Sequence, residues 1–176
     1  MRYSLLAGTF ALTLACVSSA VLAQKPDSQI DPRSITFMKA GEAALAARNY
    51  QGAIDKLETA LAIDPRNRGA YVVLGHAYQG EELPGKAIGF YAKALTLEPN
   101  DLAALQGQGE AMVQRGAVTR AQANLKRIRE LCKKECAPAQ TLAAAITKGP
   151  PAAVVTAQTA TKAPSPETEA APPIQN

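Results

Sequence analysis

The sequence contains no tryptophan, only three phenylalanines and five tyrosines. With so few aromatic residues, alanine, leucine and isoleucine must supply most of the buried surface, and small residues must mark close helix contacts. The basic residues have no aromatics interleaved among them to stack on bases, which argues against a nucleic-acid partner. The single histidine and the two cysteines outside the N-terminal leader do not complete a four-ligand zinc site. No Ser-His-Asp set, phosphate-cradling glycine loop or convergent carboxylate pair is present, so neither enzymatic activity nor a cofactor is expected. Beyond the first 23 residues no segment reaches about 18 consecutive apolar residues, the length a spanning helix needs.

What is present begins with two distinctive ends. Arg2, the mostly apolar stretch from Leu5 to Val17, and Val21-Leu22-Ala23 have the order of a secretory signal peptide over residues 1–23. Release after Ala23 is the expected outcome, with the periplasm as destination. Thr13-Leu14-Ala15-Cys16 is also similar to the lipobox of bacterial lipoproteins, and lipidation at Cys16 would instead leave a membrane-anchored lipoprotein. Residues 24–33 make a short linker. From Gly149 the chain turns to Pro, Ala, Val and Thr without a sustained period, so residues 149–176 are expected to form a disordered tail. Such a tail is either inert or a flexible reach toward a partner.

Roughly 115 residues between Ser34 and Lys148 remain, enough for one domain. Gly41, Gly75 and Gly109 stand 34 residues apart, and Ala53, Ala87 and Ala121 follow the same interval. Three units result, 34–67, 68–101 and 102–135. Within the first, Phe37, Ala40, Gly41 and Ala44 recur at helical spacing, and beyond Arg48-Asn49-Tyr50 so do Ala53, Leu57 and Ala60. The second places Tyr71, Leu74, Gly75, Tyr78, Ala87, Tyr91 and Ala94 alike, with Tyr71 and Tyr91 filling space left by small neighbours. Asp64-Pro65 and Glu98-Pro99 end helices, because proline disfavours helix at the residue before it. Asn67, and Asn100 or Asp101, suit the next N-cap, and Asp31-Pro32-Arg33-Ser34 predicts a first helix beginning near Ser34. A capping helix is expected over 136–148, with Leu142 and Ile146 one turn apart.

These residues resemble the tetratricopeptide-repeat (TPR) family, whose signature has a large residue, Leu-Gly, Tyr, Ala, an aromatic, Ala and Pro at these offsets. The second unit matches nearly throughout. The third is degenerate, with Gln108, Met112, Leu125 and, at the proline position, Lys133. The resemblance implies an all-α, right-handed superhelical stack of three helix-turn-helix repeats plus the cap. It further implies a concave groove lined by the first helix of each repeat. The positions carried over are Met38, Glu42 and Leu45; Val72, His76 and Gln79; and Gln106, Glu110 and Val113. Met38, Glu42, Val72 and His76 hold the places where some family members use lysine and asparagine to clamp a terminal carboxylate. Glu42, His76 and Glu110 form a row, yet helices about 8–10 Å apart do not bring three side chains to one metal ion.

Cys132 and Cys136 lie four residues apart where the third unit meets the cap. An exported chain favours a disulfide between them. Such positions on a regular helix hold their Cβ atoms about 5–6 Å apart, whereas a disulfide needs about 3.8 Å. The helix is therefore expected to break across Lys133-Lys134-Glu135. Closing so short a loop contributes about 2 kcal/mol at most. The rival is a redox-active pair beside Lys133 and Lys134. Most of the net charge of +4 gathers in the third unit, with Arg120, Arg127 and Arg129 forming an expected basic face. That face is either solvated or a contact for an anionic partner. A protein or peptide partner is expected, met by an adaptor or assembly factor of the bacterial envelope. Membrane contact is expected only if Cys16 is lipidated, and oligomeric state stays open.

Overall fold

The computed structural model describes residues 29–133 and 136–152. The expected leader, Cys16, Lys134, Glu135 and the tail from residue 153 onward lie outside the described residues. Every regular element named among the described residues is a helix: α1 (Pro32–Ala46), α2 (Tyr50–Ile63), α3 (Arg68–Gly80), α4 (Pro84–Leu97), α5 (Leu102–Gln114), α6 (Val118–Cys132) and α7 (Ala137–Lys148). Each helix packs on the next, and α1, α3, α5 and α7 also touch in series, so the odd-numbered helices build one wall of the stack.

Local chemistry sets the ends of these helices. Asn49, Asn67 and Asp101 each use a side-chain oxygen to accept the backbone N–H three residues on, at 3.0, 3.1 and 2.8 Å. Each such cap satisfies a donor that the first helical turn leaves orphaned. The first helix starts earlier than Ser34, at Pro32, because Asp31 is its cap and accepts from Arg33 N–H at 2.8 Å. Proline suits this first position, where no N–H is required. Asp64 and Glu98, each preceding a proline, are extended, with ψ of 101° and 96°. The third unit has Lys133 at that register and stops differently: Lys133 takes a left-handed conformation, φ 57°, just past the last turn of α6.

The core is continuous from α2 to α5, with a second cluster of Leu105, Leu125, Ile128, Ala139 and Leu142 joining α5, α6 and α7. The glycine register has a packing explanation. A Cβ at Gly41 would sit 2.6 Å from Leu57, and one at Gly75 2.6 Å from the Tyr91 ring. Gly107 closes on the other side of that ring, where a Cβ would lie 2.5 Å away. Tyr91 is thus held between two glycines on neighbouring helices and is fully buried. Tyr71, expected to fill space likewise, is only half-buried, with Lys93 Nζ 5.9 Å from its ring centre.

Buried polar groups join the first two units. Ser34 Oγ–H donates to the Ala60 carbonyl at 2.7 Å and accepts from Asn67 Nδ2–H at 2.9 Å. One hydroxyl therefore links α1, the end of α2 and the cap of α3. At the next junction the enclosed Asp101 carboxylate pairs with Arg68.

Candidate binding groove

The odd-helix wall carries the positions expected to face a partner, at unequal depths. Glu42 is exposed on α1, and Met38 and Leu45 beside it are half-buried. Met38 lies over Gly69 of α3, where an added Cβ would come within 2.8 Å of its sulfur. Val72 and Val113, expected as apolar wall contacts, are buried at 8% and 4% exposure. They belong to the core, since α3 and α5 are each flanked on both sides and keep only a narrow wet strip. That strip holds His76, Gln79, Gln106 and Glu110, all half-buried.

These four side chains do not stand as separate solvated groups. The Tyr91 hydroxyl reaches from α4 through the wall, donating to Gln79 Oε1 at 2.5 Å and lying 2.9 Å from His76 Nδ1. Because its one proton goes to Gln79, the hydroxyl is left to accept from His76, which places the imidazole proton on Nδ1. Gln106 Nε2 donates to Glu110 Oε1 at 2.9 Å. The groove floor is therefore a fixed polar platform with half-buried methionine and leucine at one end. The family signature registers position 91 only as an aromatic, so it gives no sign of this hydroxyl contact.

Burial pushes the His76 pKa below its ordinary 6.5, and the Glu110 carboxylate partly opposes it. Burial likewise raises the Tyr91 phenol far above its usual value. As pH falls below 6.5, the unfolded chain takes up a proton that the folded imidazole resists, so stability declines. The contribution of His76 to the pH slope fades out about one unit above that value. Thermal melts between about pH 7.5 and 5.5 should show this loss, no steeper than about 1.4 kcal/mol per pH unit. His76→Gln should flatten it, and equal slopes in the two proteins would contradict the assignment. Asp64 acts only in stronger acid: its bond to Arg66 holds its pKa at about 2.

The expected basic face does not form one surface. Arg120, Arg127 and Arg129 are all exposed on α6. Arg127 turns toward the start of α5, where its guanidinium donates to Asn100 Oδ1 at 3.3 Å. Arg129 instead lines a cleft between α6 and α7. Residues two apart on a helix point in divergent directions, which the clustering of charge along the sequence conceals. Cys132 and Cys136 are brought together with Cα atoms 6.3 Å apart, the helix having stopped between them. The described residues contain no group of three or more His, Cys, Asp or Glu side chains able to hold a metal ion.

No family model matches the chain. A 72-residue segment is 36% identical to mouse Superkiller complex protein 3, covering 41% of this chain. The match spans only 5% of that much longer protein. Among solved structures, the Sgt2 TPR domain from Aspergillus fumigatus superposes with a TM-score of 0.62 at 22% identity, covering 81% of this chain and 92% of that one. The first TPR domain of Spaghetti (RPAP3), bound to the HSP90 peptide SRMEEVD, gives 0.61 at 19% identity, covering 66% and 91%. The chain has the fold of these tetratricopeptide-repeat domains.

Proposed function

We propose that this protein is an exported interaction module that seats a peptide or protein segment along α1, α3 and α5, as an adaptor or assembly factor of the bacterial envelope. The observation that carries this reading is a strip of paired polar groups, His76 and Gln79 held by Tyr91 and Gln106 bonded to Glu110, beside half-buried Met38 and Leu45. Pre-ordered polar groups lose little entropy when a partner binds, and the apolar end offers side-chain contacts. The Spaghetti domain, which holds an HSP90 peptide, supports the use of this fold for peptides. A different ligand chemistry is indicated here. Met38, Glu42, Val72 and His76 cannot clamp a terminal carboxylate as a lysine–asparagine set does, so an internal or basic segment suits the groove better.

Placement in the periplasm rests on the leader-like residues 1–23. In that compartment Cys132 and Cys136 would close as a structural disulfide that fixes the angle of α7. A tether through Cys16 is the second reading, favoured by Thr13-Leu14-Ala15-Cys16. Mass measurement of the mature N-terminus decides between them, giving Gln24 for release and an acylated Cys16 for the tether. Thiol titration without reductant tests the staple, which two free thiols would rule out.

The groove itself is tested by placing a photo-crosslinking residue at exposed Glu42, and separately at exposed Lys56 on the outer helix α2. A partner captured in cells from position 42 and not from position 56 supports the groove. Equal capture from both sites would refute it.

A further inference from the structure

The seam where α3 packs on α5 keeps hydrogen-bonding capacity that the fold does not consume. Tyr91 enters it from α4. A Cβ at Gly107 of α5 would lie 2.7 Å from the phenol oxygen, which also meets His76 and Gln79 of α3. The hydroxyl therefore stands at the floor of the seam, with His76 and Gln79 on one helix and Gln106 and Glu110 on the other. Glu110 is near enough for its charge to act on both the imidazole and the phenol. Glu42, one repeat earlier on α1, is not among the groups that act on His76.

Each internal bond fixes what is left over. The phenol gives its proton to Gln79 and accepts from His76 Nδ1–H, so His76 Nε2 keeps a bare lone pair. Gln106 Nε2 donates to Glu110 Oε1, which leaves Glu110 Oε2 and Gln106 Oε1 as acceptors with no donor among the described residues. Among those residues the one enclosed side-chain polar atom lacking a hydrogen bond belongs to Asp101, so these three acceptors reach water. The leftover donors are neutral amide hydrogens of Gln79 and Gln106, while the one charge in the seam is negative.

That pattern opposes a carboxylate ligand and suits a cation with several donors. A guanidinium fits better than an ammonium. Its planar fork directs several N–H groups at once, matching acceptors on two helices. It is also the more weakly hydrated of the two, so entry into a half-buried strip costs less. We infer that the α3–α5 seam is an arginine subsite, in which an arginine side chain of the bound segment donates to Glu110 Oε2 and His76 Nε2. The assignment rests on the odd-helix groove as the binding face and names the residue read there.

His76 is the sole histidine of the chain, so its imidazole proton resonances report on the seam directly. Full-length protein with no added histidine would be titrated at about pH 7.5, where the ring is neutral, with blocked arginine, citrulline, lysine and glutamate. Arginine should move the His76 signal saturably, with affinity roughly ten-fold or more above that of citrulline, which keeps the shape without the charge. It should exceed lysine by about three-fold or more, and glutamate should have no effect. Glu110→Gln, whose amide oxygen can still accept from Gln106, should erase the preference for arginine over citrulline. Glu42→Gln should change that preference by less than about two-fold. Saturating arginine should also lower the pH midpoint of the imidazole, since the bound cation opposes protonation of the lone pair it occupies. No response to arginine, equal affinity for arginine and citrulline or lysine, an unmoved midpoint, or indifference to Glu110→Gln overturns the inference. Crosslinking keeps the two readings apart. Capture from position 42 and not 56, without an arginine response, spares the groove and overturns the subsite, whereas equal capture from both positions overturns the groove reading and the subsite with it.

Discussion

Replacing Tyr91 with alanine is expected to destabilise the protein by about 3–5 kcal/mol, the range for truncating a large buried ring. Folded domains have only about 5–15 kcal/mol in total, and the corresponding fall in melting temperature is roughly 10–20 °C. The ring is fully buried, with the α-carbons of Gly75 and Gly107 on either side too close for any Cβ. No neighbouring side chain can swing in to fill its place, so the cavity persists. Tyr91→Phe separates the hydroxyl from the ring: it keeps the packing but leaves Gln79 and His76 without their partner, at about 1–2 kcal/mol. The glycines supply an internal control. Gly75→Ala should destabilise beside tyrosine and become stabilising in the Tyr91→Ala protein, where the helix-propensity gain of roughly 1 kcal/mol is no longer opposed by a clash. If Gly75→Ala has the same sign in both backgrounds, the close approach is not what selects glycine there.

Val72→Asp should be the second severe substitution, costing roughly 3 kcal/mol or more through an unpaired carboxylate in the core. Val72 is 8% exposed and belongs to the main buried cluster. A loss of binding in this variant would therefore report damage to the fold. Glu42→Arg, at an exposed position, is expected to stay within about 0.5 kcal/mol of the parent. Urea melts of the two proteins make the comparison. Similar midpoints would mean that Val72 is reachable from the groove after all.

The contrast between these two residues shows where reading the chain alone works and where it stops. Caps, proline stops and the repeating glycines are local or strictly periodic features, so Asn67, Asp101 and the succession of seven helices are legible without coordinates. Depth across the wall is not periodic. Position 38 lies on the outermost helix and keeps part of its surface, whereas its successor, Val72, is covered by helices on either side. The polar platform was hidden for another reason: Tyr91 meets Gln79 and His76 from a different helix, 12 and 15 residues away, at spacings with no helical meaning. Arg127 and Arg129 were close in sequence and parted by geometry.

The three joints between successive units use different chemistry. Ser34 and Asn67 close the first with neutral hydrogen bonds, which ionic strength and mild acid leave alone. Arg68 and Asp101 close the second with opposite charges, partly shielded from salt by the enclosure of the carboxylate. The third joint has two sulfurs, whose state follows the redox poise of the surroundings. In a linear array, where each unit leans only on its neighbours, stress applied by a change of medium is felt where the matching bond lies. Were the proposed Cys132–Cys136 bond to form, a reducing environment would loosen the C-terminal end and leave the N-terminal joint tight.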